Sequence, residues 1–362
     1  MIPKNISELV TFVPNKYVPI HNWFYFKEGF SKKLVDWLVE EYSLASPVLD
    51  PFCGSGTTIL AAKQRGMESM GIDVSPLAVF VSMAKTRHYD TDELEQFMGE
   101  IKAKKGKIEK HLIDARVRKL FFSETLDQIL ELKSVIEEIK SENARMFFLL
   151  ALIDTAGRVA NVVKIGGSLR KQKKGRLPAR KLFFGKCKKM IFDLELNPMP
   201  KVEPKVIEGD ARHYALEEES IGSVITSPPY LNKIEYTTVY KLELGMFFRY
   251  PQTQLRAFLG DIPKETGKYP GMPLVAQAYF QDMERVLENI SSALIPRGIA
   301  CINVAGACFP EQLIEVDEVI AGIAKQKGFK LLDMVTARQI QCHRDRSVKT
   351  GKVRESIIVL EK

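Results

Sequence analysis

Ser227-Pro228-Pro229-Tyr230 is a tetrapeptide whose residue types, in this order, suit one definite chemistry. Two successive prolines fix the backbone and remove two N–H donors, while their carbonyls still accept. An amino group on a conjugated ring has two N–H donors and a nitrogen that is a poor nucleophile. The Pro228 carbonyl and the Ser227 hydroxyl oxygen can take those two hydrogens. Holding them out of the ring plane favours the tetrahedral nitrogen that attacks a methyl group. Tyr230 can stack on the ring, an interaction worth about 1–3 kcal/mol per base. A base inside a helix would first have to leave the stack. The plainer reading is a Pro-Pro turn that closes a strand, and the surrounding chain decides between them.

Upstream, Asp50-Pro51-Phe52-Cys53-Gly54-Ser55-Gly56-Thr57-Thr58 leaves one apolar stretch and enters another with helical spacing. Glycines let the backbone approach a ligand, and a helix start offers free N–H groups. Asp73 lies 17 residues past Gly56, where the next strand should end. A carboxylate there can accept from ribose hydroxyls. Loop and carboxylate together suggest a pocket for an adenosine-type cofactor; a tight turn with a capping Asp is the alternative. Cys53 is read as a small loop filler, because transfer to an amino nitrogen needs no covalent enzyme intermediate.

These residues need a scaffold. Residues 31–42, SKKLVDWLVEEY, have helical spacing with Ser31 as N-cap. Residues 47–76 read as strand, glycine loop, helix and strand, the first half of a doubly wound α/β fold. Residues 90–163 have helical periodicity with a capping box at Asp90 and Glu93. Strand and helix alternate again from 205: KVIEGDAR, SVITSPPY, the amphipathic QAYFQDMERVLENISSALIPRG, then IACINVAG. FKLLDMVTARQIQ and ESIIVLEK look like a closing β-hairpin. The expected layout is a catalytic domain of residues 1–87 and 202–362, with 88–201 a helical and basic insertion. His21, Trp23 and Phe24 are read as an ordinary surface-to-core cluster. Glu235 and Tyr236 are held as residues that shape a base pocket.

The chain has 362 residues, 45% hydrophobic and 27% charged, with net charge +8. No run is apolar enough to cross a bilayer or serve as a leader, so a cytoplasmic protein without a membrane partner is expected. Its five cysteines are scattered with no C-x-x-C pair, so neither a disulfide framework nor a metal site is expected. Lys164 to Lys189 holds eleven Lys and Arg and no Asp or Glu, which leaves the remainder at −3. One concentrated basic segment suggests a polyanion contact, with a solvated loop as the alternative.

DPFCGSGTT, GIDVSP, GDAR and TSPPY, in this order, resemble the motifs of the amino-methyltransferase family. That family includes DNA N6-adenine and N4-cytosine methyltransferases and related RNA enzymes. The resemblance spans roughly residues 20–86 and 203–362 and implies an α/β, Rossmann-like S-adenosylmethionine-dependent methyltransferase sheet with a reversed terminal hairpin. A leading Ser in SPPY is the form associated with N4-cytosine enzymes, so Ser227, Pro228, Pro229 and Tyr230 become the catalytic candidates. By position, Asp50, Gly54 and Gly56 would line the methionine and ribose side of S-adenosyl-L-methionine, Asp73 would hold the ribose, and Asp210 would sit at the adenine. Phe52, Thr57, Val74 and Ala211 flank them in the same motifs, and Phe30 and Ser31 match the segment that closes over the cofactor.

One departure concerns the substrate. In DNA enzymes of this motif order the target-recognition region usually lies near or after the catalytic motif. Here the large insertion falls between Asp73 and Asp210. Its basic residues Arg170, Lys171, Lys173, Lys174, Arg176, Arg180 and Lys181 are expected to bind nucleic acid, with Phe183 and Phe184 available to stack. Structured RNA is favoured over DNA as the partner, because no major-groove reader is identifiable. In outline the chain is similar to archaeal enzymes that place one or two methyl groups on cytidine N4 in small-subunit ribosomal RNA. The alternatives are a DNA cytosine-N4 or adenine-N6 modification enzyme, a small-molecule or protein-amine methyltransferase, and a non-catalytic nucleic-acid-binding protein of the same fold.

Overall fold

The computed structural model describes residues 2–165, 168–172, 174–231, 235–248, 268–309, 312–344 and 348–362. The helices are α1 (Ile6–Leu9), α2 (Lys32–Glu41), α3 (Thr57–Gln64), α4 (Pro76–Thr86), α5 (Thr91–Ala103), α6 (Ala115–Arg118) and α7 (Ser123–Glu137). They continue as α8 (Glu142–Val159), α9 (Ala179–Leu196), α10 (Tyr236–Val239), α11 (Lys241–Phe247), α12 (Leu274–Ala293) and α13 (Val316–Gln326). The strands are β1 (Val48–Asp50), β2 (Ser69–Asp73), β3 (Val162–Ile165), β4 (Ser168–Lys171), β5 (Lys205–Glu208) and β6 (Ile221–Thr226). After them come β7 (Leu294–Ala305), β8 (Ala307–Cys308), β9 (Leu313–Ile314), β10 (Lys330–Arg344) and β11 (Val348–Glu361).

The expected cap residues do start helices. The Ser31 oxygen accepts from the Leu34 N–H at the head of α2, and Asp90 accepts from Asp92 and Glu93 at the head of α5. Each satisfies N–H groups that the first helical turn leaves unpaired.

Seven strands form one sheet in the order β10-β11-β7-β6-β1-β2-β5. Every neighbouring pair from β7 to β5 is parallel, whereas β11 runs against both β7 and β10. This is the α/β, Rossmann-like sheet with a reversed terminal hairpin that the motifs implied. Both faces are covered. Along β11, Ile357 and Val359 join the cluster beneath α2, while Ile358 and Leu360 join the cluster beneath α12 and α13. That alternation is the two-residue period of a strand buried on both sides.

The chain winds outward from β1 through β2 to β5, then returns to β6 on the other side of β1. The strand order therefore reverses between β1 and β6, and an open α/β sheet has its ligand crevice outside the carboxyl ends at such a point. Asp50 ends β1 and Thr226 ends β6.

Residues 88–201 form helices α5 to α9 and, unexpectedly, the hairpin β3–β4. Their apolar side chains share a cluster with Phe12, Trp23, Phe24 and Phe26 of the N-terminal segment and with Leu77 and Val81 of α4. Phe147, Phe148 and Phe183 are fully buried there. Truncating any one of them should cost about 3–5 kcal/mol. Trp23 donates to the Asp193 carboxylate at 3.0 Å, which pins α9 to the N-terminal segment. The surface-to-core reading of His21, Trp23 and Phe24 therefore holds, since all three are buried.

The expectation for cysteine is corrected. Cys308 and Cys342 form a disulfide with Cα atoms 6.1 Å apart. A search for close sequence spacing could not detect it, because these residues are 34 apart and meet through tertiary structure. Among the described residues no helix is long and apolar enough to cross a membrane.

Candidate active site

The glycine loop turns where only glycine fits. Gly54 has φ +50° and Gly56 has φ +76°, the left-handed region. A Cβ on Gly56 would lie 2.9 Å from the Ser82 Cα, so the loop sits directly on α4. Cys53 is buried beneath the loop against Gly71, and burial raises its thiol well above the ordinary value. That placement suits a filler better than a nucleophile.

Asp50 braces this loop. One carboxylate oxygen accepts from the Phe52 N–H at 3.1 Å and the Thr226 hydroxyl at 2.7 Å; the other accepts from the Thr58 hydroxyl at 2.7 Å. It thereby joins the ends of β1 and β6 to the start of α3. Burial pushes its pKa up to about 6, against the pull of these hydrogen bonds. Asp73 ends β2 and accepts from the Gly54 N–H at 2.9 Å and the Ser75 N–H at 2.8 Å. Burial raises it likewise to about 6. Each Asp73 oxygen keeps a lone pair for a further donor, which suits the two hydroxyls of a ribose. Thr57 is buried at the head of α3, and Phe52 and Val74 are half-buried at the loop edges.

Other cofactor candidates stand in less simple surroundings. Asp210 is clasped by Arg212, whose guanidinium donates to both its oxygens and reaches Asp282 at 3.0 Å. Burial raises the Asp210 pKa, but hydrogen bonds and charge from Arg212 outweigh it and bring the pKa below the ordinary value. Ala211 packs into the sheet core and its carbonyl accepts from Asn289. Phe30 lies in the apolar cluster with Ile6, Leu9 and Leu34, and Ser31 caps α2. The aromatic ring that reaches Gly54 is Phe26, 3.1 Å from where a Cβ would be. Phe26 stacks on Tyr240 at 5.1 Å, and the Tyr240 hydroxyl donates to Glu28 at 2.6 Å. Glu235 caps α10 by accepting from the Thr237 N–H.

Ser227 directly follows β6. Its hydroxyl donates to the Asn303 main-chain carbonyl at 3.1 Å. With the hydrogen committed there, the oxygen's lone pairs are left to accept. Pro228 is buried, and Pro229 and Tyr230 are half-buried. The Tyr230 hydroxyl donates to Glu355 at 2.7 Å and accepts from the Asn303 side-chain amide at 2.7 Å. The second Glu355 oxygen accepts from Arg338 Nε at 2.5 Å. Burial, with the Glu355 charge behind it, holds the Tyr230 phenol well above its ordinary pKa. The hydroxyl is thus fixed by two strands, β7 and β11, with β10 behind Glu355. Asn303, Arg338, Glu355, Phe26 and Glu28 escaped the sequence reading. None lies in a motif, and only the pairing of distant strands brings the first three to the turn.

The basic segment is more structural than expected. Lys164 reaches Glu243 at 2.6 Å, and Lys186 reaches Asp154 at 3.0 Å. Lys174 donates to the Arg158 carbonyl, and Arg180 donates to the carbonyls of Ile101 and Lys102. Arg176 pairs with Glu124 at 3.2 Å with both side chains exposed, a pair of small worth. Arg170, Lys171 and Lys181 are exposed, and Lys173 lies outside the described residues. Phe183 does not stack outward: it is buried, with Phe184 edge-on at 5.1 Å and Arg180 over the Phe184 ring. The segment is a hairpin and a helix, so about half its cations hold the fold together.

Residues 9–83 match the family described as DNA methylase. A type II methyltransferase, M.BsoBI of Geobacillus stearothermophilus, is 30% identical over 277 residues, covering 66% of this chain and 54% of that protein. M.AvaI, a type II methyltransferase of Nostoc, is 27% identical over 273 residues, covering 66% and 56%. The chain spans about half the length of these curated relatives. Among solved structures, a SAM-dependent methyltransferase from Methanosarcina mazei has a TM-score of 0.33 at 10% identity, covering 87% of this chain and 91% of that one. The resemblance to archaeal ribosomal RNA enzymes gains no support from these relatives. The similarity is thus to DNA methylases over residues 9–83 and to type II methyltransferases over a longer stretch, and S-adenosyl-L-methionine is the cofactor it supports.

Proposed function

We propose that this protein methylates an exocyclic amino group in DNA, and that the group is cytosine N4. The observation that carries the reading is the adjacency at the strand reversal. Thr226, the residue before Ser227, hydrogen-bonds Asp50 at 2.7 Å. The catalytic turn and the glycine loop are therefore neighbours across one hydrogen bond. The loop suits its ligand. Two left-handed glycines let the loop turn tightly, Gly56 against Ser82 of α4 and Gly54 beside the Phe26 ring, and Asp73 keeps acceptors for a ribose. When bound, the cofactor supplies an electrophilic methyl group.

The chain's own residues then act on the nitrogen. Ser227 Oγ and the Pro228 carbonyl accept its two hydrogens and hold them out of the ring plane. Tyr230, locked by Glu355 and Asn303, offers its half-buried ring to the face of the base. The proton released as the N–C bond forms passes from the nitrogen by way of these acceptors to water. Cytosine is favoured over adenine by the leading Ser of the motif. DNA is favoured over RNA because the relatives are named type II methyltransferases and the matched family is named DNA methylase. Burial of Phe183 also removes one of the two rings expected to stack on RNA.

The test is transfer of a labelled methyl group to duplex DNA and to ribosomal RNA, with mass spectrometry of the nucleosides. N4-methylcytosine in DNA is the expected product. N6-methyladenine would overturn the choice of base, label in RNA alone would overturn the choice of DNA, and label in neither would overturn both.

A further inference from the structure

We propose that the hairpin β3–β4 is a groove-reading ribbon that selects the duplex sequence brought to the catalytic turn. The inference rests on the DNA reading above and adds the element that recognises the substrate.

Register sets the two faces of the ribbon. Val163 pairs with Arg170 and Ile165 with Ser168, while Val162 pairs with Lys171 and Lys164 with Leu169. Paired residues in an antiparallel ladder share a face, and the next pair along points the other way. One face is held by the protein except at Lys171, which is exposed. Val162 is buried, Leu169 packs on the insertion core, and Lys164 reaches Glu243 at 2.6 Å with its ammonium 3.9 Å from the Tyr240 ring centre. The other face holds Val163, Ile165, Ser168 and Arg170. There Ile165 is 46% exposed and Arg170 is exposed.

The chemistry of that outer face suits base edges. Arginine donates in bidentate fashion to guanine O6 and N7, aliphatic side chains meet the thymine methyl, and a serine hydroxyl can donate to or accept from a base edge. Charge fits the occupant as well, since no Asp or Glu occurs between Asp154 and Asp193. Size agrees: two strands about 4.8 Å apart fit the B-DNA major groove, about 12 Å wide. The deep, narrow major groove of A-form RNA would exclude the ribbon.

Position and rigidity complete the case. β4 packs against α10, which begins at Tyr236, six residues after Tyr230. The ribbon's root is clamped by Asn161, whose carbonyl accepts from the Gln172 N–H at 2.9 Å and whose side chain accepts from the Lys174 N–H at 3.1 Å. A rigid ribbon beside the turn can fix which base pairs lie at a set distance from the flipped base.

The experiment uses the full chain, S-adenosyl-L-methionine, and a library of DNA duplexes with randomised sequence, read for methylated sites. Arg170→Ala should flatten the preference at one base pair by between about 5- and 150-fold. Ile165→Ala should weaken the preference at a neighbouring pair, and both variants should keep the melting temperature and cofactor affinity of the wild type. Preferences unchanged at every position in both variants would overturn the ribbon. A uniform loss over all sequences with a shallower salt dependence would also overturn base reading, because that is the mark of a phosphate grip. A wild-type protein that binds cofactor but methylates no duplex would instead overturn the DNA reading on which the ribbon stands.

Discussion

Ser227 shows how far a residue type takes the chemistry and where the fold must finish it. The motif identifies a hydroxyl next to a proline carbonyl, but a hydroxyl both donates and accepts. The Asn303 carbonyl settles the direction by taking the hydrogen. Ser227→Ala should therefore lower turnover on the order of 100-fold, the scale for losing one polar contact made to the reacting group. Cofactor affinity by calorimetry should stay within about twofold. A collapse of cofactor binding would show that Ser227 belongs to the loop and not to the base. Asp73 gives the complementary case. Its pKa is raised from 3.8 to about 6, so the group is protonated below about pH 6. A ribose hydroxyl donates best to the ionised form, and binding below that pH must first release a proton. Cofactor affinity should then fall about tenfold per pH unit below pH 6 and level off above it. Asp50 titrates in the same range, so the assignment comes from comparison with Asp73→Asn. That variant should bind weakly with a flatter profile; an unchanged profile would assign the titration to Asp50.

At the scale of elements, periodicity made much of the fold legible. The strand, loop, helix and strand of residues 47–76 are there, as are the amphipathic α12 and the closing hairpin. Their signals, short apolar runs, the glycine turn and the 3.6-residue spacing of α12, are local in sequence. The basic segment was not legible in the same way. Eleven cations in 26 residues read as a free surface, because their partners Glu124, Asp154 and Glu243 are far away in sequence. Nor does composition distinguish Phe183 from a stacking platform; its burial follows from the packing of α9 on α8. Arg180 carries the consequence. Its guanidinium covers the last carbonyls of α5 and the Phe184 ring, so Arg180→Ala should destabilise the fold by about 1–3 kcal/mol. The salt dependence of DNA binding should not change. If the salt slope falls by about one unit while the melting temperature holds, Arg180 is a phosphate contact after all.

For the whole molecule, the joins between distant parts carry what local pattern could not predict. Tyr230 is held by residues of two strands, Asn303 of β7 and Glu355 of β11, the longer reach being the 125 residues to Glu355. The hairpin that supplies Glu355 and Arg338 also carries Cys342, bridged to Cys308 beyond β7. The bridge thus ties the far end of the reversed hairpin to β8, which follows directly on the strand that holds Asn303. A loop of 34 residues closed in the unfolded chain corresponds to about 3–4 kcal/mol of stabilisation in the chain-entropy account. In a chain of this size that is roughly 4–5 °C of melting temperature. Reduction, or Cys342→Ser, should lower the melting temperature by that amount. Because the turn depends on this hairpin through Glu355, turnover should become heat-sensitive before cofactor binding does. The cofactor loop hangs on β1, β2 and α3, on the other side of β6 from the hairpin. Parallel loss of both on heating the reduced protein would mean that sheet and hairpin unfold as one unit, and that the bridge protects the whole sheet instead of the catalytic turn.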